Sequence, residues 1–133
     1  MTFKRHTILS NTVVELLKTS EHAVSMAQIM DRLNARGLTP NKTTVYRILD
    51  KLVVNKVATA IALKNGTSYY ELLTSGHHHH HHFFCYDCET LYCLNACHIE
   101  KMAINLTPLL PNKKFKITSH DFNLYGRCQQ CPN

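Results

Sequence analysis

The sequence NKTTVYRILDKLV, residues 41–53, has the apolar spacing of an amphipathic helix. Its aliphatic residues recur three and four positions apart, which places them on one helix face: Val45, Ile48, Leu49, Leu52 and Val53. Either Asn41 or Thr43 can cap the first turn, because both carry a short side chain with an oxygen acceptor. The stretch therefore predicts a helix that packs one face into a core and leaves the other face polar.

Further elements are predicted on both sides of this stretch. A first helix, with apolar side chains at helical spacing, ends near Thr19, and a second begins after Ser25 and ends at Gly37. After the third helix, residues 57–63 and 68–72 predict two strands, joined by a turn with the Asn-Gly pair typical of hairpins. Three helices followed by a hairpin predict a winged helix-turn-helix domain.

The second half of the chain predicts a small α/β unit. Short strands are expected around Phe83 and over residues 90–94, a helix over 98–106, and a strand over 115–124 that ends at Gly126. The expected fold class is therefore α+β, with three segments in chain order: an N-terminal domain over 1–76, a histidine-rich hinge over 77–82 and a C-terminal domain over 83–133.

Charge is distributed unevenly along the 133 residues. Residues 1–65 carry ten basic and four acidic side chains, whereas residues 66–133 carry five of each, so the whole net charge of +6 lies in the first half. This excess favours a nucleic-acid-facing N-terminal half. No apolar run approaches the length of a membrane span, and the first residues lack the apolar stretch of a signal peptide, so we expect a cytoplasmic protein without membrane contact.

All six cysteines lie in the second half, and four of them form two C-x2-C pairs. A tight turn in each pair brings two thiolates to one metal, so the pairs together predict a closed structural zinc site: Cys85, Cys88, Cys128 and Cys131. In a reducing compartment this clustering favours a metal over disulfides. Free buried cysteines or a redox pair are the alternative.

Six consecutive histidines, residues 77–82, precede the first cysteine pair. The run lies in mid-chain, where a purification tag is not expected. In an extended segment alternate side chains point to opposite sides, so His79 and His81 can face one metal while His80 and His82 face another. The first two histidines of the run are interpreted as solvated linker.

Four segments resemble the ferric uptake regulator superfamily in order and spacing: Thr43-Thr-Val-Tyr-Arg-Ile-Leu-Asp50, Tyr69-Tyr-Glu-Leu72, the histidine run that enters Cys85-x2-Cys88, and His120-Asp-Phe-Asn-Leu-Tyr-Gly-Arg-Cys128-x2-Cys131. The resemblance covers nearly the whole chain. It implies a homodimeric, metal-sensing transcriptional repressor with an N-terminal winged helix and a C-terminal dimerisation and metal-binding domain. The implied partners are a second copy of the chain and palindromic operator DNA.

The resemblance also implies two sites for a second divalent metal. The donors of the first, here called the regulatory site, are three imidazoles and a carboxylate: His79, His81, Glu100 and His120. Nitrogen and carboxylate ligands of this kind suit a borderline divalent metal better than magnesium or calcium.

The second site, here called the hinge site, matches Glu71 and His82 by resemblance. Cys93 stands where the family usually has a carboxylate, and His22 is displaced by one residue from the family's histidine. A thiolate favours a softer metal, so Zn²⁺ is the expected signal, with Fe²⁺ or Mn²⁺ as alternatives.

By resemblance to other winged helices, the third helix enters the major groove of DNA. The side chains expected at that interface are Lys42, Thr43, Thr44, Tyr46 and Arg47. Arg47 can grip a guanine or a phosphate and Tyr46 can pack on thymine methyls, so these two are the expected base readers. A packing role within the helices is the alternative for Tyr46.

The sequence thus predicts a zinc-responsive repressor of metal-homeostasis genes and not an enzyme. An iron-dependent or peroxide-sensing regulator of the same family is the first alternative. A metal-dependent hydrolase with Glu100 as base explains the ligands, but it explains neither the helices nor the hairpin, and no phosphate loop or paired nucleophile and base is found. A role as a metal-buffering protein would explain the histidine run, but it would not explain the winged helix.

Overall fold

The computed structural model describes residues 2–73, 81–94 and 105–131. The chain forms two compact units, Met1–His77 and His78–Asn133, and each contains a three-stranded sheet. Helices and strands are both present, which confirms the predicted α+β class. No helix in the three described ranges is long and apolar enough to cross a membrane.

The first unit has three helices and a three-stranded sheet. In chain order its elements are α1 (Thr2–Thr19), β1 (Val24–Ser25), α2 (Met26–Ala35), α3 (Lys42–Val54), β2 (Ala58–Ala62) and β3 (Ser68–Leu72). The strands pair antiparallel in the order β1-β3-β2. The predicted helices and hairpin are confirmed. Strand β1 was not predicted, because two residues are too few to show the alternation of a strand.

Local side-chain hydrogen bonds set the starts of α2 and α3. Ser25 and Gln28 form a capping box, in which the Gln28 N–H donates to Ser25 Oγ at 3.2 Å and the Ser25 N–H donates to Gln28 Oε1 at 3.0 Å. Asn41 rather than Thr43 caps α3, because Asn41 Oδ1 accepts a hydrogen bond from the Thr44 N–H at 2.8 Å. The helix that carries the predicted DNA-facing residues is therefore anchored by a side chain at its first turn.

Residues in the left-handed conformation follow the ends of the same two helices. Gly37, with φ of 77°, ends α2 as predicted. Lys56, with φ of 59°, stands after α3, and there the Val57 N–H donates to Leu52 O at 2.8 Å. Because a Cβ is strained in this conformation, glycine suits the position better than the lysine that occupies it.

The core of the first unit is formed by all three helices and the sheet. Its buried side chains come from α1, α2, α3 and the strands: Leu9, Val13, Leu16, Leu17, Val24, Met26, Ile29, Leu33, Val45, Ile48, Leu49, Ala58 and Tyr70. Of the five aliphatic residues predicted for the buried face of α3, Leu52 and Val53 are only partly buried against this core. The polar face of α3 is thus left toward solvent.

The second unit is built on the sheet β5-β4-β6. Its described elements are β4 (His81–Cys85), β5 (Leu91–Leu94), a one-turn 3-10 helix (Thr107–Leu109) and β6 (Asn123–Gly126). Strand β4 lies antiparallel to β5 and parallel to β6. It begins inside the segment predicted as a hinge, and most of the helix predicted over 98–106 lies outside the described residues.

The strand predicted over 115–124 is wrong over most of its length. Pairing with β4 begins only at Asn123, and residues 115–122 form no strand. Phe115 and Ile117 alternate with polar residues in the sequence, but they are 51% and 46% exposed. Alternation alone does not produce a strand, because backbone groups need a neighbouring strand to pair with, and the pairing of β6 with β4 covers only Asn123–Gly126.

Candidate metal centre and nucleic-acid interface

The four cysteines of the predicted zinc site converge, with their sulfurs within 4.8 Å of one another. The Sγ–Sγ distances are 3.6 Å for Cys85–Cys131, 3.7 Å for Cys88–Cys128 and 3.4 Å for Cys128–Cys131. Four sulfurs at about 2.3 Å from a tetrahedral zinc lie about 3.8 Å apart, whereas a disulfide is about 2.05 Å long. The residues present therefore fit a zinc ion. Within 2–73, 81–94 and 105–131, no other three or more histidine, cysteine or carboxylate donors converge in this way.

Each cysteine pair lies in a tight turn. In the turn between β4 and β5, the Cys85 N–H donates to Thr90 O at 3.1 Å and the Glu89 N–H donates to Cys85 O at 2.9 Å, with Glu89 at φ 58°. In the turn after β6, the Cys131 N–H donates to Cys128 O at 3.3 Å. These turns point the two sulfurs of each pair to the same side.

The parallel pairing of β4 with β6 brings the two turns together. Cys85 is paired with Gly126, which stands two residues before Cys128. A Cβ on Gly126 would lie 3.2 Å from the ring of Phe83, so glycine allows the close approach of β6. Outside the cluster, Arg127 Nε lies 3.2 Å from Asp87 Oδ2, but both side chains are exposed and such a pair contributes little.

Hydrogen bonds stabilise two of the sulfurs as thiolates. The backbone N–H of Cys88, together with those of Cys128 and Asp87, lowers the pKa of Cys85 to about 6 against the opposing effect of burial. The Tyr92 hydroxyl donates to the Cys128 sulfur, which lowers the pKa of that thiol and raises the pKa of Tyr92 to about 12. The bond with Cys128 raises the pKa of Cys131. Because the thiolate is the metal-binding form, the lowered pKa values of Cys85 and Cys128 favour metal binding, whereas the raised pKa of Cys131 opposes it.

Two residues of the predicted regulatory site, His81 and His120, lie close together. Their ring centroids are 5.1 Å apart, and His81 is buried and stacked on Phe122 at 3.7 Å. His81 Nδ1 accepts a hydrogen bond from the Phe122 N–H at 3.1 Å. Because this lone pair serves one partner at a time, metal binding through Nδ1 requires the hydrogen bond to break. The other two predicted ligands, His79 and Glu100, lie outside the described residues.

Strand β4 places His81 and His82 on opposite faces of the sheet, because successive side chains of a strand alternate. On the face of His82, Cys93 is the directly paired residue in β5 and Asn123 is the paired residue in β6. Directly opposed residues of antiparallel strands have Cβ atoms about 4.5 to 5.5 Å apart. The imidazole of His82 and the thiol of Cys93 are therefore neighbours within the second unit.

The other two residues predicted for the hinge site belong to the first unit. His22 lies two residues before β1, and Glu71 follows Tyr70, which pairs with Val24 of β1. The pairing of β1 with β3 thus brings His22 and Glu71 to the same end of that sheet. Their participation in a metal site stays a prediction from the sequence.

The residues predicted to face DNA lie in the first two turns of α3. Four of them are exposed: Lys42, Thr43, Tyr46 and Arg47. The fifth, Thr44, is half-buried, and its hydroxyl donates to Asn41 Oδ1 at 2.8 Å, so this side chain serves the helix cap. Lys42 Nζ lies 5.9 Å from the centre of the Tyr46 ring, which is 40% exposed. Tyr46 is therefore available on the surface rather than packed in the core.

Comparison with known proteins agrees with these features. The sequence model of the ferric uptake regulator family matches residues 1–125. The ferric uptake regulator of Vibrio cholerae is 26% identical over 90% of this chain and 88% of its own, with a TM-score of 0.71. FurB from M. tuberculosis, a zinc uptake regulator, is 26% identical over 96% and 95% of the two chains, with a TM-score of 0.54.

A third solved structure supports the fold alone. The ferric uptake regulator of Francisella tularensis, with iron, is 22% identical over 92% of this chain and 90% of its own, with a TM-score of 0.74. No curated protein sequence matches this chain. Because the family's sequence model spans nearly the whole chain, the resemblance seen in the sequence is confirmed, and this chain belongs to the ferric uptake regulator family.

Proposed function

We propose that this chain is a dimeric repressor that binds operator DNA when zinc is plentiful and thereby controls metal-homeostasis genes. As a member of its family it is a metal-responsive transcription regulator and not an enzyme, which removes the hydrolase hypothesis. The proposal concerns the metal that is sensed, the surface that binds DNA and the assembly of the chain.

The main support for zinc as the sensed metal is the cross-strand pair of His82 and Cys93. An imidazole beside a thiolate is a donor set that favours zinc over iron, because soft thiolates select zinc whereas non-haem iron(II) sites use histidine and carboxylate donors. FurB from M. tuberculosis, which covers 96% of this chain, is a zinc uptake regulator. The first observation supports zinc at the hinge site, and the second supports zinc as the sensed metal.

A second zinc ion is proposed at the four-cysteine cluster, where it has a structural role. Four sulfurs leave no open coordination position, so this site is closed to substrates and slow to exchange metal. The sensing metal must bind and leave as its concentration changes. We therefore assign sensing to the histidine-containing sites and stability to the four cysteines.

Iron or peroxide sensing at the regulatory site is the second candidate. The approach of His81 to within 5.1 Å of His120 supports a site with nitrogen donors and no sulfur. Such a site suits Fe²⁺ or Mn²⁺ better than the hinge site does. It also requires His79 and Glu100 to join the two histidines.

The DNA surface is proposed on α3. Its exposed side chains carry two positive charges, on Lys42 and Arg47, and an accessible ring, on Tyr46. These groups suit phosphate contacts and major-groove base contacts. The positive charge of the first 65 residues adds a sequence-independent attraction to DNA.

A second copy of the chain is the proposed partner of the second unit. Several of its large apolar side chains are between 38% and 80% exposed: Leu109, Phe115, Ile117, Phe122 and Leu124. Where large exposed apolar side chains lie together, they are typical of an interface. Two copies related by a twofold axis would read a palindromic operator, which the protein mass in solution and the operator symmetry can test.

The proposed function is tested by metal-dependent DNA binding. An operator is first selected from random DNA duplexes by the zinc-loaded protein, and binding is then measured at constant salt against free Zn²⁺, Fe²⁺ and Mn²⁺. We expect zinc to activate binding at the lowest free concentration. Activation by iron alone would favour the second candidate. DNA binding that does not depend on any of the three metals would contradict both the zinc proposal and the second candidate.

The variant Arg47→Ala tests the DNA surface. It is expected to weaken operator binding by about 1 to 3 kcal/mol per half-site, counted twice in a dimer, with zinc content and mass unchanged. Lys113→Ala is the control, because Lys113 is exposed in the second unit and its loss removes the same charge. Equal weakening by both variants would show a general charge effect and not a contact made by α3.

A further inference from the structure

Thr90 lies between the first cysteine turn and β5, and it belongs to none of the predicted ligand sets. The thiol of Cys88 donates to the Thr90 hydroxyl oxygen, with 3.4 Å between Sγ and Oγ1. The Thr90 carbonyl accepts from the Cys85 N–H at 3.1 Å. One residue therefore contacts both cysteines of the turn, Cys88 through its side chain and Cys85 through its backbone.

The pairing of β4 with β5 holds the backbone of Thr90. Phe84 is paired with the buried Leu91, and the next step of this register sets Cys85 opposite Thr90. Directly opposed residues of antiparallel strands share a face of the sheet, so Thr90 lies on the face that carries the cluster. Because threonine is branched at Cβ, few rotamers are open to it, and its hydroxyl is held with little further loss of entropy.

The cysteine that Thr90 contacts through its hydroxyl is the exposed one of the four. Cys85 is buried and Cys128 and Cys131 are half-buried, whereas Cys88 is exposed. A competing ligand or an alkylating reagent therefore reaches the cluster most readily at Cys88. A side chain that holds this sulfur acts at the ligand where loss of zinc begins.

We propose that Thr90 is a positioning residue of the zinc site, whose hydroxyl holds the Cys88 sulfur in its ligating position and slows the loss of zinc. The proposal rests on the zinc assigned above to the four cysteines. A threonine hydroxyl both accepts and donates, so it can turn its proton toward the sulfur when Cys88 binds a metal as a thiolate. Hydrogen bonds to an ionised group are the stronger ones, and loss of such an outer contact costs about 10- to 100-fold in metal affinity.

The test compares Thr90→Val with Thr90→Ser in the full chain loaded with zinc. Valine keeps the branched shape of threonine but carries a methyl group in place of the hydroxyl, whereas serine keeps the hydroxyl and loses the methyl group. Affinity for the tightly held zinc is measured by competition with a chromophoric chelator. We expect Thr90→Val to lose about 10- to 100-fold in affinity and Thr90→Ser to stay close to the parent. Equal losses in the two variants would overturn the role of the hydroxyl.

Alkylation of individual cysteines separates positioning from general destabilisation. The zinc-loaded protein is treated with iodoacetamide for increasing times, and the labelled cysteines are identified by mass spectrometry of proteolytic peptides. Thr90→Val should speed the labelling of Cys88, while Cys93, which lies outside the cluster, should be labelled at the rate seen in the parent. Equal acceleration at Cys88 and Cys93 would mean that the whole unit opens more often, and it would contradict the proposal.

Failure of the zinc assignment would look different. If Cys88→Ser keeps the same tightly bound zinc as the parent, the four cysteines do not hold it, and the assignment falls together with the role of Thr90. If Cys88→Ser loses that zinc but Thr90→Val retains it with the affinity and the Cys88 labelling rate of the parent, only the role of Thr90 is wrong.

Discussion

Replacement of Cys131 by serine is expected to unfold the second unit while the first unit stays folded. Serine has nearly the size of cysteine but does not supply a thiolate, so a closed site with four sulfurs is left with three. Because metal binding by such sites is coupled to folding, loss of one ligand acts on the whole unit. Dimerisation is expected to fail with it, since the proposed dimer surface belongs to this unit.

The magnitude follows from how few large apolar side chains are buried among the described residues of the second unit. Of its described residues, Phe84 and Leu91 are the large apolar side chains that are buried. Such a side chain contributes about 1.5 to 3 kcal/mol, so the pair contributes about 3 to 6 kcal/mol. Zinc binding contributes about 10 to 16 kcal/mol in small zinc domains. Zinc binding therefore stabilises the second unit more than the buried apolar side chains of its described residues do, whereas the described part of the first unit has seventeen buried apolar side chains.

The assay is thermal unfolding followed by circular dichroism, with zinc content and mass measured on the same samples. The parent should show a transition that a strong chelator removes, and Cys131→Ser should lack that transition without chelator. Cys93→Ser is the matched control for melting and mass, because it removes a thiol of the same unit that lies outside the cluster. It is expected to keep the parent's transition and to lose only the zinc of the hinge site. Equal zinc content and equal melting curves for Cys131→Ser and the parent would refute the structural role of the cluster.

Two further predictions concern backbone strain and the sensed metal. Lys56→Gly is expected to raise the free energy of unfolding of the first unit by about 0.5 to 1 kcal/mol, measured by chemical denaturation, because glycine adopts the positive φ without strain. Gly37→Ala should lower this free energy of unfolding by a similar amount. The Cβ of the alanine would meet no atom within 4 Å, so backbone strain is the only cost. Unchanged stability in both variants would contradict the argument. Cys93→Ser should raise the zinc concentration needed for operator binding while the four-cysteine site stays full. If instead the combined change His81→Ala and Glu100→Ala abolishes zinc activation and Cys93→Ser leaves it unmoved, the regulatory site is the sensor.

The helical half of the fold could be predicted because its signals are local. The apolar spacing of α3, the cap at Ser25 and the glycine at position 37 each act within one or two turns of chain, and all three appear in the structure. The Asn-Gly turn of the hairpin is equally local, with Gly66 at φ 87°. The sequence does not decide between Asn41 and Thr43 as the cap of α3, because both side chains carry an oxygen that can accept a hydrogen bond from the first turn.

The surroundings of the cluster could not be predicted, because they depend on strand register. The four ligands follow from cysteine spacing alone, but the hydrogen bond from Tyr92 requires β5 to pair with β4 so that Tyr92 faces Phe83. The need for glycine at position 126 likewise appears only when β6 lies against that ring. The sequence shows which residues alternate, but it does not show which strand pairs with them. For the same reason, the strand predicted over 115–124 is longer than the paired segment in the structure.

The sheet of the second unit makes the proposed sensor depend on the structural zinc. On one face β4 supplies Cys85 to the cluster, and on the other face it supplies His82 opposite Cys93. A slip of β4 against β5 by one residue would turn His82 away from Cys93, because side chains alternate with a period of two. A zinc ion at the cluster would hold this register, since two of its ligands, Cys85 and Cys88, lie at the turn that joins β4 to β5. A metal at the hinge site uses His82 and Cys93 from two strands whose register the cluster has already set, so loss of the structural zinc should abolish sensing, whereas loss of the sensing metal should leave the structural site full.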